Sequence, residues 1–236
     1  MNNKVIEIKN LSYSYPDGTS ALKNITIDIL EGESIGLVGP NGAGKSSLLL
    51  HLNGILSGKS ESFKILDKIV NKENIRYIRS QVGLVFQDPD TQLFMPTVFE
   101  DVSFGPINLG MNDAEIKKSV NDALNSVDML YAMNKLSHHF SLGEKKRISI
   151  ATVLSMLPEI LVLDEPTSNL DPKHRRDLIN LINNLKHTKI IATHDLDLVY
   201  RCCSKTAILN GGRLVAFDST EKILNNKQLL EDNYLR

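Results

Sequence analysis

The chain has 236 residues, 42% hydrophobic and 23% charged. That composition suits one globular domain, or a domain with a subdomain, with a substantial buried core. Lys plus Arg number 27 against 28 Asp plus Glu, a formal charge of −1, which gives no bulk drive toward nucleic acid or anionic lipid, and no nucleic-acid partner is expected.

The N-terminal stretch from Met1 to Asn10 alternates and lacks the apolar run of a signal peptide. Val5-Ile6-Glu7-Ile8 and Ile25-Thr26-Ile27-Asp28-Ile29 read as strands, with a turn signal at Tyr15-Pro16-Asp17-Gly18 between them. Ser34 to Val38 is a short apolar strand, followed by a Gly-rich loop and a helix predicted over Ser46 to Leu56. Val82 to Phe86 is a buried-type strand. From about Pro96 to Leu157 the pattern is mostly helical, with Asp113 as a candidate cap for a helix carrying Ile116, Val120, Ala123, Leu124 and Val127 at helical spacing. The most apolar region, Ile148 to Leu163, is broken by Ser149, Thr152, Ser155, Pro158 and Glu159 and cannot cross a bilayer as one helix.

Ile160 to Leu163 reads as a fully buried strand. Pro172 starts a helix with an apolar stripe at Leu178, Leu181, Ile182 and Leu185, and Lys189 to Thr193 is a further strand. The adjacent Cys202 and Cys203 suit neither a disulfide nor zinc, and fit reduced thiols in a cytosolic protein. Asn210-Gly211-Gly212 between Ala207–Leu209 and Leu214–Phe217 is a hairpin signal, and Asp218 with Glu221 resembles a capping box for the last helix. Strands alternating with helices imply an α/β fold with a mainly parallel sheet, interrupted by an inserted helical subdomain.

Gly39-Pro40-Asn41-Gly42-Ala43-Gly44-Lys45-Ser46 matches the phosphate-binding pattern G-x-x-x-x-G-K-[ST] in full, between a strand and a helix. Such a loop turns several backbone N–H groups on one phosphate, Lys45 can reach the β- and γ-phosphates, and Ser46 can ligate Mg²⁺. Leu161-Val162-Leu163-Asp164-Glu165 ends a buried strand on two acids. Asp164 can hold Mg²⁺ through water, and Glu165 can orient or deprotonate an attacking water. A carboxylate pair at a strand end is otherwise an ordinary solvated terminus; the phosphate loop in the same chain tips the balance. His194 ends another buried strand and could hydrogen-bond a γ-phosphate, and Gln87 follows the Val82–Phe86 strand, where it could ligate Mg²⁺ or sense nucleotide.

Ser141-Leu142-Gly143-Glu144-Lys145-Lys146-Arg147, with the order of the other motifs, resembles the ABC ATPase signature, usually Leu-Ser-Gly-Gly-Gln. Phe140 stands for Leu, Leu142 for the first Gly and Glu144 for Gln, while Ser141 and Gly143 are kept. The resemblance spans essentially the whole chain. It implies a P-loop NTPase (RecA-like) core at about 1–92 and 158–236, with an N-terminal antiparallel β region and a helical subdomain at about 93–157. Tyr15 resembles the aromatic that stacks on adenine; the implied ATP site takes in Gly39 to Ser46, Ser47 and Gln87. Gln87 sits at the Q-loop and Asp164 and Glu165 at Walker B; Ser168-Asn169-Leu170-Asp171 resembles the D-loop, and His194 the switch histidine. The family works as a head-to-tail dimer, in which Ser141 and Gly143 of one subunit cover the ATP of the other.

Phe86-Gln87-Asp88-Pro89-Asp90-Thr91-Gln92-Leu93-Phe94 and Pro96 to Pro106 look like the energy-coupling-factor ATPases, most of all those of cobalt and nickel import. The resemblance implies a subunit peripheral to the cytoplasmic face of the membrane, hydrolysing ATP with Mg²⁺ beside an identical or related ATPase, a transmembrane coupling protein and a substrate-binding membrane protein. Energy coupling for vitamin uptake is the nearest alternative, and a soluble iron–sulfur assembly ATPase of similar size is another. The interval from Lys45 to Ser141 is too short for the coiled coils of DNA-repair ABC proteins, and translation-associated relatives usually carry two ATPase units in one chain. An intact Glu165 argues against a regulator that binds nucleotide without turnover.

Overall fold

Alternating apolar residues in the first thirty positions build two long antiparallel strands, β1 (Lys4–Ser14) and β2 (Ser20–Leu30). The computed structural model describes residues 3–235; Met1 and Asn2 of the alternating N-terminal stretch lie outside them. With β4 (Ser62–Ile65) and β5 (Lys68–Ile69), these strands form an antiparallel sheet in the order β2-β1-β4-β5. The second sheet joins β3 (Ser34–Val38), β6 (Val82–Val85), β7 (Ile160–Asp164), β8 (Thr188–Ala192), β9 (Lys205–Asn210) and β10 (Arg213–Ser219) in the order β10-β9-β3-β8-β7-β6. All its neighbours are parallel except the β9–β10 hairpin, which closes through Asn210-Gly211-Gly212 as the turn signal implies.

Both faces of the parallel strands are buried, which is why they read as continuous apolar runs rather than alternating ones. In β7, Leu161 and Leu163 pack toward the helices α3–α5, while Ile160 and Val162 face the antiparallel sheet. The helices are α1 (Lys45–Leu52), α2 (Ile75–Gln81), α3 (Val98–Asn108), α4 (Asp113–Ser126), α5 (Leu142–Leu154), α6 (Pro172–Asn184), α7 (Leu196–Cys202), α8 (Thr220–Asn225) and α9 (Lys227–Asp232). Between β6 and β7, α3, α4 and α5 pack on one another around Val102, Val120, Leu124 and Ile148, and the Ser155 hydroxyl donates to the Val102 carbonyl at 2.7 Å.

Three local expectations are corrected. The helix after the phosphate loop stops at Leu52, not Leu56: Gly54 takes φ +65 and donates its N–H to the His51 carbonyl, while the Asn53 amide crosses to the Val82 carbonyl at 2.6 Å. The cap of α4 is Asn112, whose side chain accepts from the Ala114 and Glu115 amides while Glu115 reciprocates; Asp113 is the first helical residue. Asp218 and Glu221 make no capping box. The Asp218 carboxylate is taken by the Ser219 amide and by Lys222, and the C-terminal stretch divides into α8 and α9.

Candidate nucleotide site

The strand order brings the motifs together. Four adjacent parallel strands, β3, β8, β7 and β6, deliver the phosphate loop, His194, the Asp164–Glu165 pair and Gln87 to one sheet edge, although these residues span more than a hundred positions in the chain. Ligands bind at this carboxyl edge of parallel α/β sheets. Gly39, Pro40, Asn41, Gln87, Glu165 and His194 line one cleft of about 490 Å³.

The loop curls tightly around its own lysine. Gly44 caps α1 at φ +101, and a Cβ there would lie 2.4 Å from the Ala21 carbonyl oxygen, so only glycine fits. The Lys45 ammonium is buried and donates to the carbonyls of Gly39 (2.7 Å) and Pro40 (3.1 Å), which holds a cation inside the loop's ring of backbone amides. Burial lowers its pKa, opposed by the negative charge of Glu165 and Asp164. The Ser47 hydroxyl meets the Tyr15 hydroxyl at 2.9 Å, so the aromatic expected at adenine is anchored to the base of the loop.

Asp164 is half-buried beside Ser46. Burial pushes its carboxyl up, opposed by a hydrogen bond from the Ser46 side chain. A carboxylate held in this way is one that a divalent cation stabilises, and a hydroxyl, a carboxylate and the Gln87 amide oxygen are the hard oxygen donors that Mg²⁺ takes. The residues therefore fit Mg²⁺ between the loop and β7.

Glu165 is buried and sits at φ +43, a left-handed conformation that a non-glycine residue adopts at a cost of about 1–3 kcal/mol. That twist turns its carboxylate toward the end of β8. There it accepts from the Thr193 hydroxyl (3.1 Å) and the His194 amide (3.1 Å), and it meets the His194 imidazole Nδ1 at 3.0 Å. The His194 ring itself stays largely exposed. Asp195, next in sequence, is clamped by both arms of Arg175 at 2.7 and 2.8 Å and accepts from Thr167, which fixes the backbone carrying His194. This arrangement can bind a triphosphate, neutralise its charge and hold a water against a buried carboxylate.

None of the signature residues lines that cleft. Ser141 caps α5: it accepts from the Glu144 amide, while the Glu144 carboxylate accepts from the Ser141 amide at 2.9 Å and hydroxyl at 2.7 Å. Glu144 in place of glutamine thus completes a capping box, and Tyr131 donates to its other oxygen at 2.7 Å. Leu142 occupies the first turn without positive φ, so its replacement of glycine strains nothing. Gly143 lies under the His174 ring, where a Cβ would come within 2.9 Å, and His174 in turn pairs with Asp171 of the expected D-loop. Ser168, the other expected D-loop residue, donates to the Glu165 carbonyl at 2.9 Å.

Four residues of the site and its supports, Thr193, Lys146, Tyr234 and Leu235, carry no sequence signal of their place there. Thr193 carries no signal beyond its place before His194. Lys146 looks like a surface lysine in a charged run but is buried at 5% exposure. Tyr234 and Leu235 line the mouth of the cleft from the far C-terminal end, which no motif reveals.

The ABC transporter family profile matches residues 22–168. The chain is 48% identical to the energy-coupling factor transporter ATP-binding protein EcfA of Carboxydothermus hydrogenoformans, over 99% of this chain and 87% of that protein. It is 44% identical to EcfA of Methanosphaera stadtmanae, over 98% and 85%. Among solved structures, cbiO1 of Clostridium perfringens, part of the ABC transporter complex cbiONQ, superposes with a TM-score of 0.86 at 38% identity, covering 99% of this chain and 96% of that one. The ATP-binding cassette MJ0796, a dimer bound to ADP and Pi after hydrolysis, superposes with a TM-score of 0.80 at 25% identity, over 91% and 98%. With the loop, the carboxylates and the signature helix placed as they are, this chain belongs to the ABC transporter family in its energy-coupling-factor branch, whose ATP-binding subunits hydrolyse ATP with Mg²⁺ to power transport.

Proposed function

We propose that the chain powers a membrane importer of cobalt or nickel ions from the cytoplasmic face of the membrane. It works there as a peripheral subunit, paired head-to-tail with an identical or related ATPase and docked on a transmembrane coupling protein that serves a separate substrate-binding membrane protein. Among the described residues no helix is long and apolar enough to cross a membrane, so the membrane-spanning work falls to those partners. In this reading residues 1–92 and 158–236 form the nucleotide-binding core and 93–157 the helical subdomain. Tyr15 stacks on adenine, Gly39 to Lys45 and Ser47 hold the phosphates, and Ser46, Gln87 and Asp164 hold Mg²⁺. Glu165 positions the attacking water with His194 on the γ-phosphate. Ser141 to Glu144, together with Ser168 and Asp171 of the D-loop, meet the other subunit.

The observation that carries the transporter reading is a groove of about 950 Å³ lined by the segments on both sides of Gln87. Phe86, Phe94, Phe104 and Leu109 line it and are unusually exposed, Phe94 at 60%. Phe94 and Phe104 stack edge-to-face at 5.1 Å, and Arg76 and Arg79 rim the opening. An exposed aromatic patch with a polar rim marks a protein interface. Gln92 ties the floor of this groove to the nucleotide side, accepting from the Phe86 amide and donating to the Ser149 carbonyl and the Thr152 hydroxyl. Likeness to cbiO1, part of the ABC transporter complex cbiONQ, supports work within a transporter complex, and the cobalt or nickel cargo rests on the resemblance of the segments Phe86–Phe94 and Pro96–Pro106.

Phe104→Glu should abolish co-purification with the membrane subunits while the isolated chain still binds ATP; undiminished co-purification would place the docking surface elsewhere. For the cargo, cells carrying Glu165→Gln should take up cobalt or nickel poorly. Normal metal uptake alongside lost vitamin uptake would shift the reading to a vitamin importer.

A further inference from the structure

Lys146 lies on the first two turns of α5, the helix whose N-cap is Ser141. Its side chain leaves that helix and enters the nucleotide-binding core. The ammonium donates to the Gln87 carbonyl (3.3 Å), the Glu165 carbonyl (3.1 Å) and the Ser168 hydroxyl (3.1 Å). An ammonium has three N–H donors and no acceptor, and the oxygens around it match that number, so nothing of its hydrogen-bonding capacity is left for another role. These oxygens belong to the Gln87 segment beside the docking groove, to the residue placed against the attacking water, and to the D-loop. A buried cation of this kind is costly unless it is paired and hydrogen-bonded. A purely structural tie could have used a neutral side chain. A second route joins the same elements, since Gly143 of α5 packs under His174, which pairs with Asp171.

We infer that Lys146 is a positioning residue that locks Glu165, the D-loop and the Gln87 segment of one ATP site to the signature helix that covers the other. The inference rests on the head-to-tail pairing proposed above. When ATP draws Ser141 of α5 onto the partner's nucleotide, Lys146 carries the displacement to the Glu165 backbone of its own site, so each site becomes competent when the other closes. Without the ammonium, α5 can still cap ATP, but Glu165 is no longer held in register with it.

The test compares Lys146→Met, Lys146→Gln and Lys189→Met with the parent. Lys189 is the control: it is also buried, but it donates to the Ile182 and Leu185 carbonyls at the end of α6, and it lies at the amino end of β8, the end of that strand opposite His194. Steady-state ATPase kinetics are read with thermal melting on the full chain. Loss of register costs turnover rather than affinity, so Lys146→Met should lower kcat about 10–100-fold while KM stays within about threefold. The rate should also lose its sigmoidal dependence on ATP. Lys146→Gln, which keeps two N–H donors, should recover part of the loss even if Lys146→Met folds poorly. Lys189→Met should lower Tm and leave kcat and sigmoidicity near the parent's. Turnover and sigmoidicity unchanged in both Lys146 variants would overturn the inference, as would a loss that Lys189→Met reproduces at equal destabilisation. If the parent carrying Glu165→Gln forms no ATP-dependent dimer, the pairing itself is wrong and the inference goes with it. A parent that dimerises while Lys146→Met turns over normally rejects the inference alone.

Discussion

Glu165→Gln separates binding from chemistry. In the structure one carboxylate oxygen accepts from the Thr193 hydroxyl and the other from the His194 amide, and neither partner requires a negative charge. A glutamine carbonyl oxygen can keep the His194 amide bond, and its NH₂ can donate to the Thr193 oxygen after that hydroxyl rotates. The main loss is one charge-assisted contact to His194, so the fold should be retained with a stability change within about 1 kcal/mol. Nucleotide affinity resides mainly in the phosphate loop and Lys45, which the substitution does not touch. Turnover is another matter. An amide cannot take a proton from water and orients it weakly, and general-base assistance is worth about 10²–10⁴-fold, or roughly 3–5 kcal/mol of barrier. Steady-state phosphate release at saturating Mg²⁺-ATP, with affinity measured by calorimetry, reads both quantities. The expected result is unchanged Kd within about threefold and a kcat at least about 100-fold down. A variant that retains most of its activity would remove Glu165 from the chemistry and leave the twist at φ +43 unexplained.

Other perturbations probe the site and its supports. Lys45→Ala removes the one cation inside the phosphate loop, so ATP affinity measured by calorimetry should fall by about 10–100-fold, the equivalent of a charge-assisted hydrogen bond; unchanged affinity would refute the loop's role. Asp101 is buried and accepts from the Phe94 and Met95 amides and from the Ser137 hydroxyl at 2.6 Å, so Asp101→Ala strands those donors and should cost about 2–4 kcal/mol in chemical denaturation. His51 is fully buried, its Nδ1 is 2.7 Å from the Ser47 carbonyl and its Nε2 has no hydrogen-bond partner among the described residues; burial lowers its pKa, so the folded protein holds it neutral. Its contribution is fully present above the unfolded value near 6.5 and is lost as pH falls below it, by up to about 1.4 kcal/mol per pH unit. His51→Leu should flatten the decline in Tm between about pH 7 and pH 5, and an unaltered decline would show that His51 is not its source.

Much of the site was legible because its motifs are local. The phosphate loop occupies eight consecutive residues, and Asp164–Glu165 and His194 end apolar runs too short and too continuous to be anything but buried parallel strands. What escaped depends on partners distant in sequence. Nothing near Lys146 indicates burial, because its three acceptors come from positions 87, 165 and 168. The overlong helix at Leu56 and the supposed box at Asp218 fail for a related reason. Apolar spacing continued past Leu52, but the Asn53 amide had a better partner on β6, and Asp218 was taken by Lys222 and the Ser219 amide before it could cap. Glu144 shows the reverse case. It reads as a departure from the signature pattern, yet it completes a capping box that the spacing Ser141-x-x-Glu144 already contained.

If the site at one sheet edge is completed by the signature helix of another subunit, ATP must draw two chains together. Light scattering on the Glu165→Gln chain with and without Mg²⁺-ATP measures that pairing. The chain should be largely monomeric without nucleotide and double in mass with ATP, and a Glu165→Gln, Ser141→Arg double variant should bind ATP yet stay monomeric. A double variant that dimerises as well as its parent would place the signature helix away from the nucleotide interface.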